Sequence, residues 1–168
     1  TRMRDDGVPP SAASINLGIS SCVRSEIPDV TRAEAFFKSF PGLQIEPDKR
    51  TFAAMINLYA KASDPEQALS YYNLMLASNI EANVFAVRGV FEAFSNGGSV
   101  KDAEKWFEKL RPFYNQRLDT GCFTSLMWAY ARHGDLEGCN AVLEKMLTEG
   151  VGPQAKSINS MLLACCSE

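Results

Sequence analysis

Side chains able to carry out covalent chemistry are sparse in this sequence. It has 168 residues with one histidine, His133, and five cysteines, an odd number without a Cys-x-x-Cys pair: Cys22, Cys122, Cys139, Cys165 and Cys166. This spacing favours neither a disulfide framework nor a zinc site, so we interpret the thiols as small core residues. The sequence also lacks a phosphate-binding Gly-Lys-Ser/Thr loop and a His-Glu-x-x-His metal motif. It therefore predicts a protein that is not an enzyme and needs no cofactor or metal.

Charged side chains are the second group that could bind a ligand. The 17 basic and 20 acidic residues give a formal net charge of -3, and 46% of the residues are hydrophobic. This composition is typical of a globular protein, and no segment has the roughly 20 consecutive apolar residues of a membrane span. Summed over the chain, the charge disfavours nucleic acid, because Lys and Arg drive phosphate binding. How the charge is distributed over the surface depends on the secondary-structure elements that carry the charged residues.

Those elements follow from an internal period of 35 to 36 residues. Small residues recur at this spacing at Ala33, Ala68, Ala103 and Cys139. A second marker, Glu46-Pro47-Asp48, recurs as Glu81-Ala82-Asn83 and as Gly152-Pro153-Gln154. Both markers define the same repeats, at 14–48, 49–83, 84–119 and 120–154, with a partial repeat at 155–168. Residues 1–13 are predicted to be a flexible N-terminal segment.

Each repeat is predicted to form two helices. In the second repeat, Phe52, Met55, Ile56 and Tyr59 have the 3, 4 and 7 offsets of one helix face, and an amphipathic second half follows. Turn signals separate the halves at Ser63-Asp64-Pro65, Gly97-Gly98-Ser99 and His133-Gly134-Asp135. A single hairpin cannot bury its apolar face alone, so neighbouring hairpins must stack. We therefore expect an all-α fold, an α-solenoid of about four and a half stacked helix–turn–helix hairpins.

This pattern resembles the pentatricopeptide repeat family. The resemblance covers residues 14–168 and is clearest in residues 51–62 and in residues 144–153, which end in the family's Met-(x)3-Gly-Val-x-Pro pattern. The third repeat departs from it at residues 111–116 and has one extra residue. Pro112 is expected to end the second helix of that repeat early.

The resemblance implies binding of single-stranded RNA in a mitochondrion or plastid, with about one base per repeat. In the family, the fifth and last residues of a repeat read the base. The corresponding residues here are Gly18 with Asp48, Ala53 with Asn83, Arg88 with Leu118 or Asp119, and Thr124 with Gln154, while Asn159 begins a fifth pair. None of these complete pairs fits the family's usual combinations, so we expect little base specificity.

The charge separates by helix. Six basic and two acidic residues lie in the predicted first helices, at 15–26, 50–61, 85–96, 121–132 and 156–167, which leaves eleven basic and eighteen acidic residues elsewhere. A basic strip along stacked first helices could follow an RNA backbone. The predicted RNA-binding residues of this strip are Arg50, Lys61, Arg88, Thr124, Arg132, Lys156 and Asn159. The repeat-terminal candidates are Asp48, Asn83 and Gln154, and Phe85 and Trp128 are candidates for stacking on bases.

Two functions remain open at this point. One is a non-catalytic module that contacts the backbone of single-stranded RNA. The other is a protein–protein scaffold, or an accessory subunit of a large organellar complex, which the acidic remainder and the pair Phe113-Tyr114 favour. Neither interpretation requires a small-molecule substrate or a membrane span.

Overall fold

The fold is all-helical, as the sequence predicts. The computed structural model describes residues 11–25, 27–114 and 118–165, except for the side chains of Lys156 and of residues 163–165. Within these ranges there is no strand. The helices are α1 (Ala12–Arg24), α2 (Val30–Gly42), α3 (Lys49–Lys61), α4 (Pro65–Ala77), α5 (Val84–Gly97), α6 (Val100–Leu110), α7 (Thr120–Ala131), α8 (Leu136–Thr148) and α9 (Ala155–Cys165), with a short 3-10 helix at Arg111–Tyr114.

Residues with short polar side chains start the helices. At α3, the Asp48 carboxylate accepts the backbone N–H of Thr51 at 2.8 Å, which satisfies one of the unpaired donors of the first turn. The side chains of Ser11, Asp29, Asp64, Asn83, Ser99, Asp119 and Asp135 make the same contact at the other helices from α1 to α8. Helix α1 begins at Ala12, inside the segment 1–13 that the sequence predicts to be flexible, whereas residues 1–10 lie outside the described ranges.

The predicted turns lie between the two helices of each hairpin. Ser63 adopts a left-handed φ of 56° before the N-cap Asp64, and Gly134 adopts φ 68° before the N-cap Asp135. Gly97, at the end of α5, is needed for a different reason. A Cβ atom at this position would overlap the backbone carbonyl oxygen of Ser63, so the α3–α4 turn packs directly on the glycine backbone.

The helices form two unequal layers. The first helices contact one another in sequence, α1 with α3, α3 with α5, α5 with α7 and α7 with α9. Each second helix packs on its own first helix and on the first helix of the next repeat. The first helices are therefore the continuous layer of the solenoid, and the side of this layer away from the second helices is free to form a long surface.

The core lies between the layers and matches the predicted apolar faces. Its largest fully buried side chains include Phe52, Met55, Phe91, Phe107 and Phe123. The four small residues that mark the period, Ala33, Ala68, Ala103 and Cys139, are fully buried. Small side chains at this position allow the two helices of a hairpin to approach closely.

The third repeat ends differently from its neighbours. Helix α6 stops at Leu110 and the 3-10 helix containing Pro112 follows, as predicted from the ring's incompatibility with a helix interior. Arg111 donates to Glu108 at 2.6 Å and to Glu149 at 2.7 Å, and Lys145 donates to Glu108 at 2.7 Å. These ion pairs join the end of α6 to α8. Leu118 is buried in the core, whereas Asp119 is exposed and caps α7.

Candidate nucleic-acid interface

A stripe of side chains runs along one side of α3. Arg50, Ala53, Ala54, Asn57 and Lys61 are separated by helical offsets of 3, 4, 7 and 11 residues from the first, which places them on one face. With residues of α1 and α5, this stripe lines a two-part cleft with volumes of about 450 and 370 Å³. We call it the first-helix groove. Its lining residues are Ser20, Val23, Arg24, Arg50, Ala53, Ala54, Asn57, Lys61, Asn83, Phe85, Arg88 and Glu92.

Three cationic side chains lie at the groove with their charges exposed. Arg24 and Arg50 are exposed and, within the described residues, neither guanidinium has a hydrogen-bond or ion-pair partner. Lys61 is also exposed, and its Nζ donates to the carbonyl of Val23 at 2.7 Å, in the last turn of α1. This contact satisfies a terminal helix carbonyl and leaves the remaining ammonium protons free. The groove therefore offers three positive charges to a bound anion.

Phe85 is the aromatic residue of the groove. It is 63% exposed and lines both parts of the cleft. An aromatic face exposed beside cationic side chains is the arrangement that stacks on a planar base while the cations bind phosphates.

Arg88, predicted to bind RNA, is engaged within the protein. Its guanidinium donates to Glu92 at 2.9 Å, to the Tyr114 hydroxyl at 3.1 Å and to Asp119 at 3.4 Å. Burial disfavours the cation, but the hydrogen bonds and charge interactions with Glu92 and Tyr114 together outweigh it and raise the pKa of Arg88. Arg88 therefore stays charged while two carboxylates offset its charge.

The repeat-terminal candidates differ in their local roles. Asp48, Asn83 and Asp119 cap helices through their side-chain oxygens, which accept N–H groups at 2.8 to 3.0 Å. Asp48 also accepts from Asn16 at 3.1 Å, and although burial opposes its ionisation, the hydrogen bonds from Thr51 and Asn16 lower its pKa. Gln154 is exposed, and its backbone carbonyl accepts from Ser157 at 2.9 Å.

The remaining candidates follow the first-helix layer beyond the groove. Thr124 donates to the Thr120 carbonyl at 2.8 Å and lies 2.8 Å from the Ser157 hydroxyl. Trp128 is 39% exposed, and Arg132 and Asn159 are exposed. The Lys156 side chain lies outside the described residues. These residues extend the layer, but only Arg50, Lys61, Asn83, Phe85 and Arg88 among the candidates line the groove.

Arg24 and Asn57 are groove residues with available polar groups that were not singled out from the sequence. Asn57 is one turn after Ala53 and one turn before Lys61, so the helical offset alone could have identified it. Arg24 lies on the neighbouring α1 and reaches the groove because α1 packs on α3.

The groups that could support catalysis or metal binding are also placed. Cys22, Cys122 and Cys139 are buried and form no disulfide among the described residues, and burial raises the pKa of the Cys122 thiol to about 12. Among the described residues, no cluster of three or more His, Cys, Asp and Glu side chains could hold a metal ion. In the same part of the chain, no helix is long and apolar enough to cross a membrane.

The known proteins with similar sequences that are described below are all named pentatricopeptide repeat-containing proteins. A family model described as PPR repeat matches residues 50–80 and 121–151, within the second and fourth repeats. A pentatricopeptide repeat-containing protein of Arabidopsis thaliana is 26% identical over 147 residues, which are 88% of this chain and 21% of that protein. A mitochondrial one from the same plant is 24% identical over 163 residues, 95% of this chain and 38% of that protein. A chloroplastic one is 23% identical over 134 residues, 80% of this chain and 14% of that protein. The chain thus spans well under half the length of these relatives.

Solved structures share the fold. The pentatricopeptide repeat protein PPR10 in complex with an 18-nt psaJ RNA element superimposes with a TM-score of 0.78 at 19% identity, over 99% of this chain and 24% of that chain. The PPR domain of Arabidopsis thaliana protein-only RNase P 1, in complex with tRNA, gives a TM-score of 0.71 at 17% identity, over 98% of this chain and 86% of that chain. The repeat period, the two-layer helical stack and these similarities agree, and the chain resembles the pentatricopeptide repeat family, whose repeat model matches its second and fourth repeats.

Proposed function

We propose that this chain binds single-stranded RNA through the first-helix groove, without catalysing a reaction, in a mitochondrion or plastid. The observation that carries the proposal is the exposed ring of Phe85 in a cleft edged by Arg24, Arg50 and Lys61. Stacking on an aromatic ring is tolerant of base identity, and cations on the same surface bind the backbone. The RNA is therefore held mainly through its phosphates, with little dependence on sequence at the fifth and last residues of the repeats.

The known relatives support the ligand class and the compartment. PPR10 is seen in complex with an 18-nt RNA element, and two of the curated relatives are named for the chloroplast or the mitochondrion. Neighbours such as protein-only RNase P show that these repeats also occur in proteins named for nuclease activity. The proposal for this chain is the binding step alone.

Reversing two groove charges tests the proposal. We expect Arg50→Glu with Lys61→Glu to weaken binding of a mixed single-stranded RNA by about tenfold or more at low salt, because two phosphate contacts become repulsive. The dependence of log affinity on log salt should also become shallower by about 1.4, since each contact with a single strand contributes about 0.7. Fluorescence anisotropy over a range of salt concentrations measures both quantities.

The matched control reverses two exposed lysines of the second-helix layer, Lys101→Glu with Lys105→Glu on α6. Both double variants change the net charge equally, so a difference between them reports the position of the charge. Equal weakening by the two variants would contradict the groove as the binding surface. Failure of the wild-type protein to retain RNA even at low salt would contradict RNA binding itself.

A protein partner is the second candidate function. Its supporting observation is the exposure of Leu74 and Leu76 on α4 and of Phe113 after α6, all on second-helix segments. Tyr114, the other residue of the predicted aromatic pair, is instead half-buried and bonded to Arg88. A wild-type chain that retains no RNA in the experiment above would leave this scaffold function as the remaining candidate.

A further inference from the structure

We propose that Asn57 supplies the base-contacting amide of the second repeat, for a single nucleobase that stacks on Phe85. This inference rests on the proposed RNA binding and adds to it a residue that determines base preference. The fifth residue, Ala53, has no polar side-chain atom and is only 8% exposed. Asn57 is one helical turn further along the same face and lines both parts of the groove, as Phe85 does.

The Asn57 amide has no partner within the described residues. None of its side-chain atoms makes a hydrogen bond there, although the residue is half-buried. A primary amide offers one acceptor oxygen and two N–H donors, and all of these remain available to a ligand at Asn57. A ligand that supplies a donor beside an acceptor would satisfy it, and the edge of a nucleobase does so.

Three other asparagines on or beside the first helices, Asn16, Asn83 and Asn96, differ from Asn57 because the protein already uses them. Asn16 donates to Asp48 at 3.1 Å and accepts from Thr51 at 2.7 Å. Asn96 donates to the Ala60 carbonyl at 3.1 Å, and the Asn83 oxygen caps α5. Asn57 therefore carries the one first-helix amide of the groove whose oxygen and nitrogen are both available to a ligand, within the part of the chain that the structure describes.

A glycine of the next helix makes room for this amide. A Cβ atom at Gly89 would lie 2.6 Å from Oδ1 of Asn57 and 2.8 Å from Cγ2 of Ile56, too close for either contact. The bare backbone of α5 thus packs against Asn57 and limits the positions that its side chain adopts. An amide restricted in this way loses less conformational entropy when it binds a base.

The neighbouring repeat shows why this position, rather than the fifth, carries the contact. Its fifth residue, Arg88, is bonded to Glu92, Tyr114 and Asp119. The groove's fifth residues are therefore an alanine and an engaged arginine. The residue one turn later in the second repeat is the available polar group beside the exposed ring.

Oligonucleotides with and without bases test the inference. The probes are 12-nucleotide RNA homopolymers of A, C and U and an abasic RNA of the same length, measured by fluorescence anisotropy at constant salt. We expect the wild-type protein to discriminate between the best and worst homopolymer by about threefold to tenfold, the value of one or two net hydrogen bonds. Asn57→Ala should bring this ratio close to one and leave the affinity for the abasic RNA and its salt dependence unchanged.

Two further variants separate a specific contact from a general effect. Asn73→Ala, on an exposed position of α4, is the matched asparagine control and should retain the wild-type ratio. Gly89→Ala should lose the ratio as Asn57→Ala does, whereas Gly42→Ala, where a Cβ atom meets nothing within 4 Å, should not. Melting temperatures show whether each variant is folded.

The outcomes are distinguishable. Retention of the wild-type ratio by Asn57→Ala would overturn the assignment, as would a wild-type protein that binds all homopolymers equally. In both cases, salt-sensitive binding of the abasic RNA would still support the proposed function. Absence of binding to every probe would instead refute the proposed function together with the inference.

Discussion

At the residue scale, polar side chains of the first helices divide into two sets. Asp48 and Asp119 are bonded to the backbone at the start of a helix, and the second of them also pairs with Arg88. Arg50 and Asn57 have no such partners within the described residues. The first set therefore stabilises the fold, and substitutions there would alter stability and binding together. The second set is where binding is tested most directly.

Gly97 is a residue whose replacement should affect stability alone. In Gly97→Ala, the added Cβ atom meets the backbone carbonyl of Ser63, which cannot move away as a flexible side chain would. We expect a loss of about 1–3 kcal/mol in the free energy of unfolding, as for overpacked sites. Urea denaturation followed by circular dichroism measures it.

The control for this prediction is Gly42→Ala, also at the last residue of a helix but without a close neighbour. It should be neutral or slightly stabilising, because alanine has less conformational entropy to lose on folding. A loss of stability in the control as large as that of Gly97→Ala would argue that helix-end glycines matter for their flexibility and not for the contact with Ser63.

At the element scale, ion pairs connect the end of α6 to α8. Arg111 and Lys145 converge on Glu108, and Arg111 also bonds Glu149. Burial opposes ionisation of Glu108, but hydrogen bonds from Lys145 and Arg111 outweigh it, so the pKa of this carboxyl is lowered from its usual 4.5. Because the pKa of Glu108 is lower in the folded state than in the unfolded state, its ionisation stabilises the fold at pH values above the unfolded-state pKa. This contribution is lost as the pH falls through the folded-state pKa.

The substitution Glu108→Gln should therefore reduce the loss of folding stability that the wild type shows as the pH falls. The variant should be less stable than the wild type at neutral pH, by about 0.5 kcal/mol per exposed ion pair, and this difference should shrink as the pH falls below about 4.5. Melting temperatures between about pH 3 and pH 7 give both curves. The control is Glu144→Gln, at an exposed residue of α8 that forms no ion pair with any residue the structure describes, and its curve should parallel that of the wild type. A constant difference at every pH would contradict the assignment.

The sequence was sufficient for features that depend on local spacing. The repeat period, the helix faces, the turn at Ser63 and the early end of α6 before Pro112 all follow from residues a few positions apart, and the structure contains them. The partners of Arg88 could not be predicted in this way, because Tyr114 and Asp119 are 26 and 31 residues away. The contact of Lys61 with Val23, across 38 residues, is likewise set by the packing of α1 on α3.

Part of the first-helix groove could also be predicted from the sequence. Arg50, Lys61 and Phe85 could be placed on a common surface from the repeat frame alone, and all three line the groove. Whether a basic side chain is exposed or engaged depends on the rotamers of neighbours, which is why Arg50 and Arg88 could not be distinguished. The base-contacting role of the repeat-terminal residues stays a prediction.

At the scale of the whole molecule, the helices of the first-helix layer are unequal in how many residues they bury. Helix α3 buries eight of its 13 residues, whereas α1 buries three of 13. Internal first helices have neighbours on both sides, and stability in a stacked-repeat protein is a sum of such neighbour contacts. The middle of the solenoid should therefore be its most stable part.

Native-state hydrogen exchange should follow this order. We expect amides of α3 and α5 to exchange most slowly and amides of α1 to exchange faster, since helices with fewer buried contacts open at lower free energy. Mass spectrometry of peptic fragments, corrected with the unfolded chain, measures the order. Equal protection of all the helices would mean that the stack unfolds as one cooperative unit.

The distinction between hydrogen-bonded and unpartnered side chains also affects which residues of such a protein can be substituted during evolution. The side chains of Arg24, Arg50 and Asn57 make no hydrogen bond or ion pair within the described residues, so each can be replaced in a single step at little cost to folding. Residues such as Asp48 and Gly97 lack this freedom. Ligand preference can therefore drift by point substitution along the groove while the solenoid beneath it stays constant, and a lineage that duplicates these repeats acquires new specificities without refolding its scaffold.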